Sequence, residues 1–273
     1  MNGDAHIEFF DGPDHFTRRV ESLPECSKEL HGNDRNSDWC GGTYAQAIHG
    51  IKNGSESGLL VAQKFIGKIG EIEHASSDSV WGTSVSGYFP CVPAYISGGP
   101  ENMFRREQIK TNLAPMKIVA SCCFSSGQSS SEIEARGASI LALTMLLSSV
   151  RPIELYAYAD LGMQYSNDEF AAIPVVKIQA YPLDIASASF ILTSSMFLRR
   201  LCFRYAHQWG FDGGWAWGGN PTNDRQMKLT KKALSISEED LWLPSMMCDN
   251  NMTRNPEKWL KDNLEKFSNR ELA

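Results

Sequence analysis

The stretch Met116-Lys-Ile-Val-Ala-Ser-Cys-Cys-Phe124 decides the fold. Its apolar residues run on almost without alternation, the pattern of a strand covered on both faces. C-terminal to it lies a Ser/Gly turn, SSGQSSS (125–131), and then a predicted helix over about 132–149. Ala135, Ala138, Ile140, Leu141, Leu143, Met145 and Leu146 leave that helix little polar circumference, so it too is expected to be buried. Arg151-Pro152 ends it, and Ile153–Ala159 (IELYAYA) reads as the next strand. Strand, helix and strand joined by short connections make a βαβ unit, which favours a parallel, right-handed crossover. Val175–Ala180 (VVKIQA) adds a further short strand.

Working outward, the remaining pattern is consistent with one α/β domain over 39–273. The expected architecture is a mostly parallel sheet flanked by helices, Rossmann-like or von Willebrand A-like. Residues 1–38 are polar and mixed in charge and read as an irregular N-terminal arm. Thr43 caps a predicted helix TYAQAIHGIKN that stops at Gly54, and Ser55 caps a second with Leu59, Ala62, Phe65, Ile66, Ile69 and Ile72 at helical spacing. A strand is predicted over Ser79–Tyr88, and Pro100 suits the first turn of a small helix. Asp184 caps a helical stretch to Gly210, which the glycine-rich loop FDGGWAWGGNPTND (211–224) follows. Leu241–Met247 reads as a last extended piece, and Asn255-Pro256 opens a short amphipathic helix.

Composition narrows the function. The chain has 273 residues, 42% of them hydrophobic, enough for a sizeable core. No apolar run reaches the ~18 residues of a membrane helix, and the N-terminus is acidic where a signal peptide is basic. A cytoplasmic location without membrane insertion is the expectation. Seven scattered cysteines include no C-x-x-C pair, so neither a disulfide framework nor a zinc site is indicated. No cofactor is expected. A net charge of −6 opposes general binding of polyanions but leaves room for a local basic surface.

Motifs for catalysis are missing. The turn 125–131 stands where ligands sit in doubly wound folds, yet G-x-x-x-x-G-K-S/T is absent. It resembles in position the metal loop of von Willebrand A-type domains but lacks the aspartate, leaving Asp160 as a single carboxylate. There is no G-x-S-x-G elbow, and no histidine has a triad context. Glu132 and Glu134 fit the first turn of a helix, where acidic residues are favoured. The chain is therefore not read as an enzyme.

One region does carry a binding signature. Arg199, Arg200, Arg204, Arg225, Lys228, Lys231 and Lys232 are interleaved with aromatic residues, Trp215 and Trp217 among them. Single-stranded nucleic acid requires cations along its backbone and aromatic faces for its bases. These nine residues are the candidate nucleic-acid-binding set.

W-x-GG (39–42), G-Y-F-P-x-V-P-A-Y-x-x-G-x-P-x-x-M (87–103), R-G-A-x-I-L-A-L with its I-E-L strand (136–155), M-x-L-R-R-L-x-F (196–203) and L-W-L-P…P-E-x-W-L (241–260) occur together here. In that combination, over roughly 39–265, the chain resembles an uncharacterised bacteriophage-associated family. Within it, the chain is similar to the single-stranded-DNA-binding proteins with which Schitoviridae phages bring RNA polymerase to middle promoters. The resemblance implies a phage protein of the host cytoplasm whose partners are single-stranded DNA and a phage RNA polymerase. Two other readings are weighed beside it: a non-enzymatic protein–protein adaptor of von Willebrand A-like shape, and a hydrolase centred on the Ser125–Ser131 loop.

Overall fold

A computed structural model of the chain describes residues 5–24, 37–58, 60–61, 64, 81–85, 89–90, 92–106, 115–148, 151–165, 168–179, 184–209, 217–218, 224–245 and 255–268. Two compact units are distinguished, one of residues 1–65 with 114–273 and one of residues 66–113.

The larger unit begins with strand β1 (Ala5–Phe10), helix α1 (Pro13–Glu21), the short α2 (Ser37–Cys40) and α3 (Tyr44–Asn53). The smaller unit holds β2 (Trp81–Ser84), β3 (Phe89–Pro90), α4 (Val92–Ile96) and β4 (Met103–Arg106). Its strands form an antiparallel sheet in the order β2-β4-β3. The helix expected after Pro100 is therefore corrected to strand β4, which pairs on both sides. The larger unit resumes with β5 (Met116–Ser121), α5 (Ser130–Leu147), β6 (Ile153–Tyr158), β7 (Leu161–Tyr165), β8 (Asp168–Ile178) and α6 (Ile185–Thr193). A π-helical segment (Phe197–Cys202) runs into α7 (Phe203–His207), followed by β9 (Trp217–Gly218), α8 (Asp224–Ala233), β10 (Leu241–Leu243) and α9 (Pro256–Ser268).

The main sheet has seven described strands in the order β10-β5-β6-β8-β7-β9, with β1 along the other side of β8. It is α/β as expected, and β10, β5, β6, β8 and β1 each have a parallel neighbour. The β5–α5–β6 crossover is the expected parallel unit. What sequence pattern did not reveal is that β6 and β7 are one interrupted strand, antiparallel to β8 throughout. Tyr158 lies opposite Val175 and Leu161 opposite Ala172, the same register on both sides of the break. Within the break the Ala159 N–H donates to Pro174 O at 3.2 Å. Proline has no N–H to return, so the ladder opens there.

The irregular arm expected over 1–38 is likewise corrected for residues 5–21. Ala5–Phe10 pairs in parallel with Ala171–Val176, covering the side of β8 that β6 and β7 leave open. Phe10 is buried against Phe16 of α1 and Tyr205 of α7, with ring centroids 5.1 and 5.9 Å away. The rest of that arm lies largely outside the described residues.

Helix ends follow their caps. Thr43 with Gln46, and Ser129 with Glu132, form reciprocal capping boxes. Asp184 caps α6 through the Ser187 N–H, and Asn255 accepts from the Lys258 N–H at the start of α9. Ser55 accepts from the Gly58 N–H, while most of the second helix it was expected to cap lies outside the described residues. The continuous helix expected from Asp184 to Gly210 is broken at Ser194, whose backbone is extended.

Candidate nucleic-acid interface

The three arginines of the Met196–His207 segment face the protein, not the solvent. Arg199 is buried, donates to Trp39 O, and lies between the rings of Trp39 (4.1 Å) and Phe124 (4.9 Å). Burial lowers its pKa. Arg200 is 2% exposed, and its Nε donates to Gly42 O at 2.8 Å. Arg204 donates to Val20 O and Leu23 O, so its cation caps the carboxyl end of α1, and it also lies over the Tyr44 ring at 4.5 Å. Ser195 Oγ adds a bond to Cys40 O at 3.0 Å. Gly41 has φ of 85°, and a side chain there would run into Ser195.

Arg199 and Arg200 are therefore corrected from binding residues to internal donors. The physical reason is that the turn at 39–42 brings backbone carbonyls into the interior, where an unsatisfied polar group is costly. W-x-GG and M-x-L-R-R-L-x-F are the two halves of one lock.

The lysines stand differently. Lys228 and Lys232 are exposed on α8 and Lys231 is half-buried, its Nζ 5.2 Å from the Trp242 ring centroid. Spacing of three and four residues puts them on one side of the helix, while Thr230 and Leu234 are buried. Arg225 enters α8 by its backbone. Trp217 is placed by its backbone in β9, opposite Gly162 of β7. Trp215 lies outside the described residues.

A second cationic and aromatic group escaped the sequence reading because it is spread over four strands. Val119 of β5 lies opposite Trp242 of β10 on one side and Tyr156 of β6 on the other, and Tyr156 lies opposite Lys177 of β8. Trp242, Val119, Tyr156 and Lys177 thus form a row across one face of the sheet, with only Val119 fully covered. Lys177 Nζ stands 5.6 Å from the Tyr156 ring centroid and 2.7 Å from Glu154 Oε1. Each shifts the other: the hydrogen bond from Lys177 lowers the Glu154 pKa, and that to Glu154 raises the Lys177 pKa. Lys117 sits in the adjoining row beside Glu154 and donates to Leu234 O and Ser235 O. In the row on the other side, Phe9 of β1 pairs with Val175 and is 44% exposed. The signal was the alternation E-L-Y within IELYAY, which puts Glu154 and Tyr156 on one face.

The carboxyl ends of β5 and β6 carry a different chemistry. Asp160, at the strand break, donates its N–H to Cys123 Sγ at 3.2 Å, and its Oδ1 is buried without a hydrogen-bond partner. Burial pushes its pKa up to about 6, and that of the Cys122 thiol up to about 12. In the 125–131 loop, Ser129 is the cap of α5 and Ser125 Oγ accepts from the Gly127 N–H. Among the described residues no group of three or more His, Cys, Asp or Glu side chains is placed to hold a metal ion. No described helix is long and apolar enough to cross a membrane.

No curated protein and no solved structure matches the chain. A family model does match, over residues 4–269, and so takes in β1 and α1 as well as the lock between residues 39–42 and 195–204. The chain belongs to the family described as a domain of unknown function, DUF7192.

Proposed function

We propose that the protein binds single-stranded DNA with little sequence preference and, in a phage-infected cell, brings a phage RNA polymerase to its promoters. The observation that carries the first half is the run of Lys228, Lys231 and Lys232 along one side of α8, the first and last of them exposed, in a chain whose net charge is −6. Three cations within two helical turns can supply the phosphate contacts that sequence-tolerant binding uses. The second half rests on the resemblance to the polymerase-recruiting proteins of Schitoviridae phages.

A gel shift comparing a labelled single strand with duplex of the same length tests the DNA half. The expected result is retention of the single strand at lower protein concentration than the duplex. Lys228→Gln with Lys232→Gln should weaken that retention. Equal retention of both forms, or indifference to the double substitution, would overturn the reading.

One observation favours protein contact as a second reading. In the smaller unit, α4 exposes Val92, Tyr95 and Ile96, the last at 77%. Apolar residues grouped in this way on a surface commonly meet another protein. A pull-down of polymerase that survives nuclease treatment, and is lost with Tyr95→Ser and Ile96→Ser, would assign recruitment to that helix.

A further inference from the structure

The single-strand reading requires a surface on which bases can stack, and the tryptophan pair of the 211–224 loop does not supply a described one. We infer that the bases stack along the exposed margin of one face of the main sheet, on Tyr156, Trp242 and Phe9, with Lys177 and Lys231 carrying the adjacent phosphates. This inference rests on the proposed function and names the residues that would perform it.

Three observations converge on this face. First, register puts the rings there. Trp242 and Tyr156 flank Val119 in one row, two strand spacings or about 10 Å apart. Phe9 joins the adjoining row through Val175, which also lies opposite Tyr158. Second, the centre of this face is covered but its margin is exposed. Its apolar centre of Val119, Tyr158, Ala171, Ile173 and Val175 is covered by Leu234, with Ile236 packed alongside, whereas Tyr156 and Trp242 are half-buried at its margin. Phe9 is exposed although Val175 beside it is buried, an arrangement that leaves a large aromatic ring facing water on an edge strand. Third, a lysine stands over each of the two inner rings, Lys231 at 5.2 Å from Trp242 and Lys177 at 5.6 Å from Tyr156.

The paired lysines suggest how binding proceeds. In the free protein each ammonium rests against a ring face, a contact of modest strength at a wet site. A base arriving on the ring displaces the ammonium, which moves onto the phosphate of the same strand. Aromatic stacking tolerates any base, so the surface reads no sequence. Glu154 opposes this exchange, because it holds Lys177 at 2.7 Å and is itself an anion facing the strand.

That opposition gives a test in two directions, read by fluorescence anisotropy of a labelled oligothymidine with the full chain. Tyr156→Leu and Phe9→Leu keep the apolar volume but remove the π face, and each should weaken binding by about fivefold or more. Tyr156→Phe keeps the ring and should bind like the parent protein. Glu154→Gln should tighten binding several-fold, since it removes an anion and releases Lys177; a residue that only supports the fold would not give a gain. Unfolding midpoints check that each variant is native, and if Tyr156→Leu does not fold, Phe9→Leu and Glu154→Gln decide. A parent protein that does not bind the oligonucleotide overturns the proposed function and this inference together. A parent protein that binds, with Phe9→Leu and Glu154→Gln both unchanged, overturns this inference alone.

Discussion

Asp160 is a residue through which pH acts on this fold. Its carboxyl is buried at the β6–β7 break with Oδ1 lacking a partner, and desolvation raises its pKa from 3.8 to about 6. A carboxyl group with a raised pKa in the folded state favours folding when protonated. Its contribution is complete below pH 3.8 and is lost as pH rises through about 6. The difference is about 3 kcal/mol, at 1.36 kcal/mol for each tenfold change in acidity. Glu132 and Glu154 act in the opposite sense, since their pKa values are lowered and they lose stabilisation as pH falls. Asp160→Asn should therefore be compared with the parent protein by urea unfolding at pH 4.5 and pH 7.5. The variant is expected to gain on the parent at the higher pH, and parallel stability curves would refute the assignment. The cysteines offer a second residue-scale prediction. Cys40, Cys122, Cys123 and Cys202 are buried, and desolvation raises the thiol pKa of the last three. Their peptides should stay unmodified by iodoacetamide at pH 8 until denaturant is added, as mass spectrometry would show.

At the scale of elements, the arginine segment separates stability from binding. Arg200 is almost wholly enclosed and bonds Gly42 O, so Arg200→Met should cost roughly 2–3 kcal/mol, the range for losing a buried charge-assisted bond. Because its guanidinium faces the interior, the DNA affinity of the surviving folded protein should not change. A loss of affinity without loss of stability would restore Arg200 to the binding surface. Here the limits of the sequence become visible. The β5–α5–β6 unit was legible because a continuous apolar run, a capped helix and a second run can fold in few ways. The burial of Arg199 and Arg200 was not, because partners 158 and 160 residues away, in the turn at 39–42, are what draw them inward. The same holds for β1. A-H-I-E-F-F alternates only weakly, and its place comes from the unpaired edge of β8, a tertiary fact. The row of Trp242, Tyr156 and Lys177 draws on three strands whose register no local pattern sets. In α5, by contrast, Gly137 has a reason that only packing reveals. A side chain there would strike the Leu192 carbonyl of α6, so the close approach of the two helices at this point requires glycine.

At the scale of the whole molecule, a basic face on an acidic protein predicts an unusual dependence on salt. Phosphate contacts made by Lys177, Lys228, Lys231 and Lys232 should give about 0.7 log units of affinity per contact for each decade of salt. Four contacts make a slope near −3, so affinity should fall roughly fiftyfold between 50 and 200 mM. Charge-neutralising substitutions at Lys228 and Lys232 should reduce the slope by about 1.4. The rate of association should behave otherwise. At ~0.01 M salt the Debye length is about 30 Å, comparable to the protein itself, and an approaching strand feels the net charge of −6 as repulsion. At ~0.15 M the length is about 8 Å, and only the lysines near the contact remain in view. Association of an oligonucleotide, followed by stopped-flow fluorescence, should therefore quicken as salt rises from 10 to 150 mM. Dissociation should quicken more steeply still, so that affinity falls. An association rate that falls steadily over this range would mean that the strand meets a surface whose field is positive even at long distance.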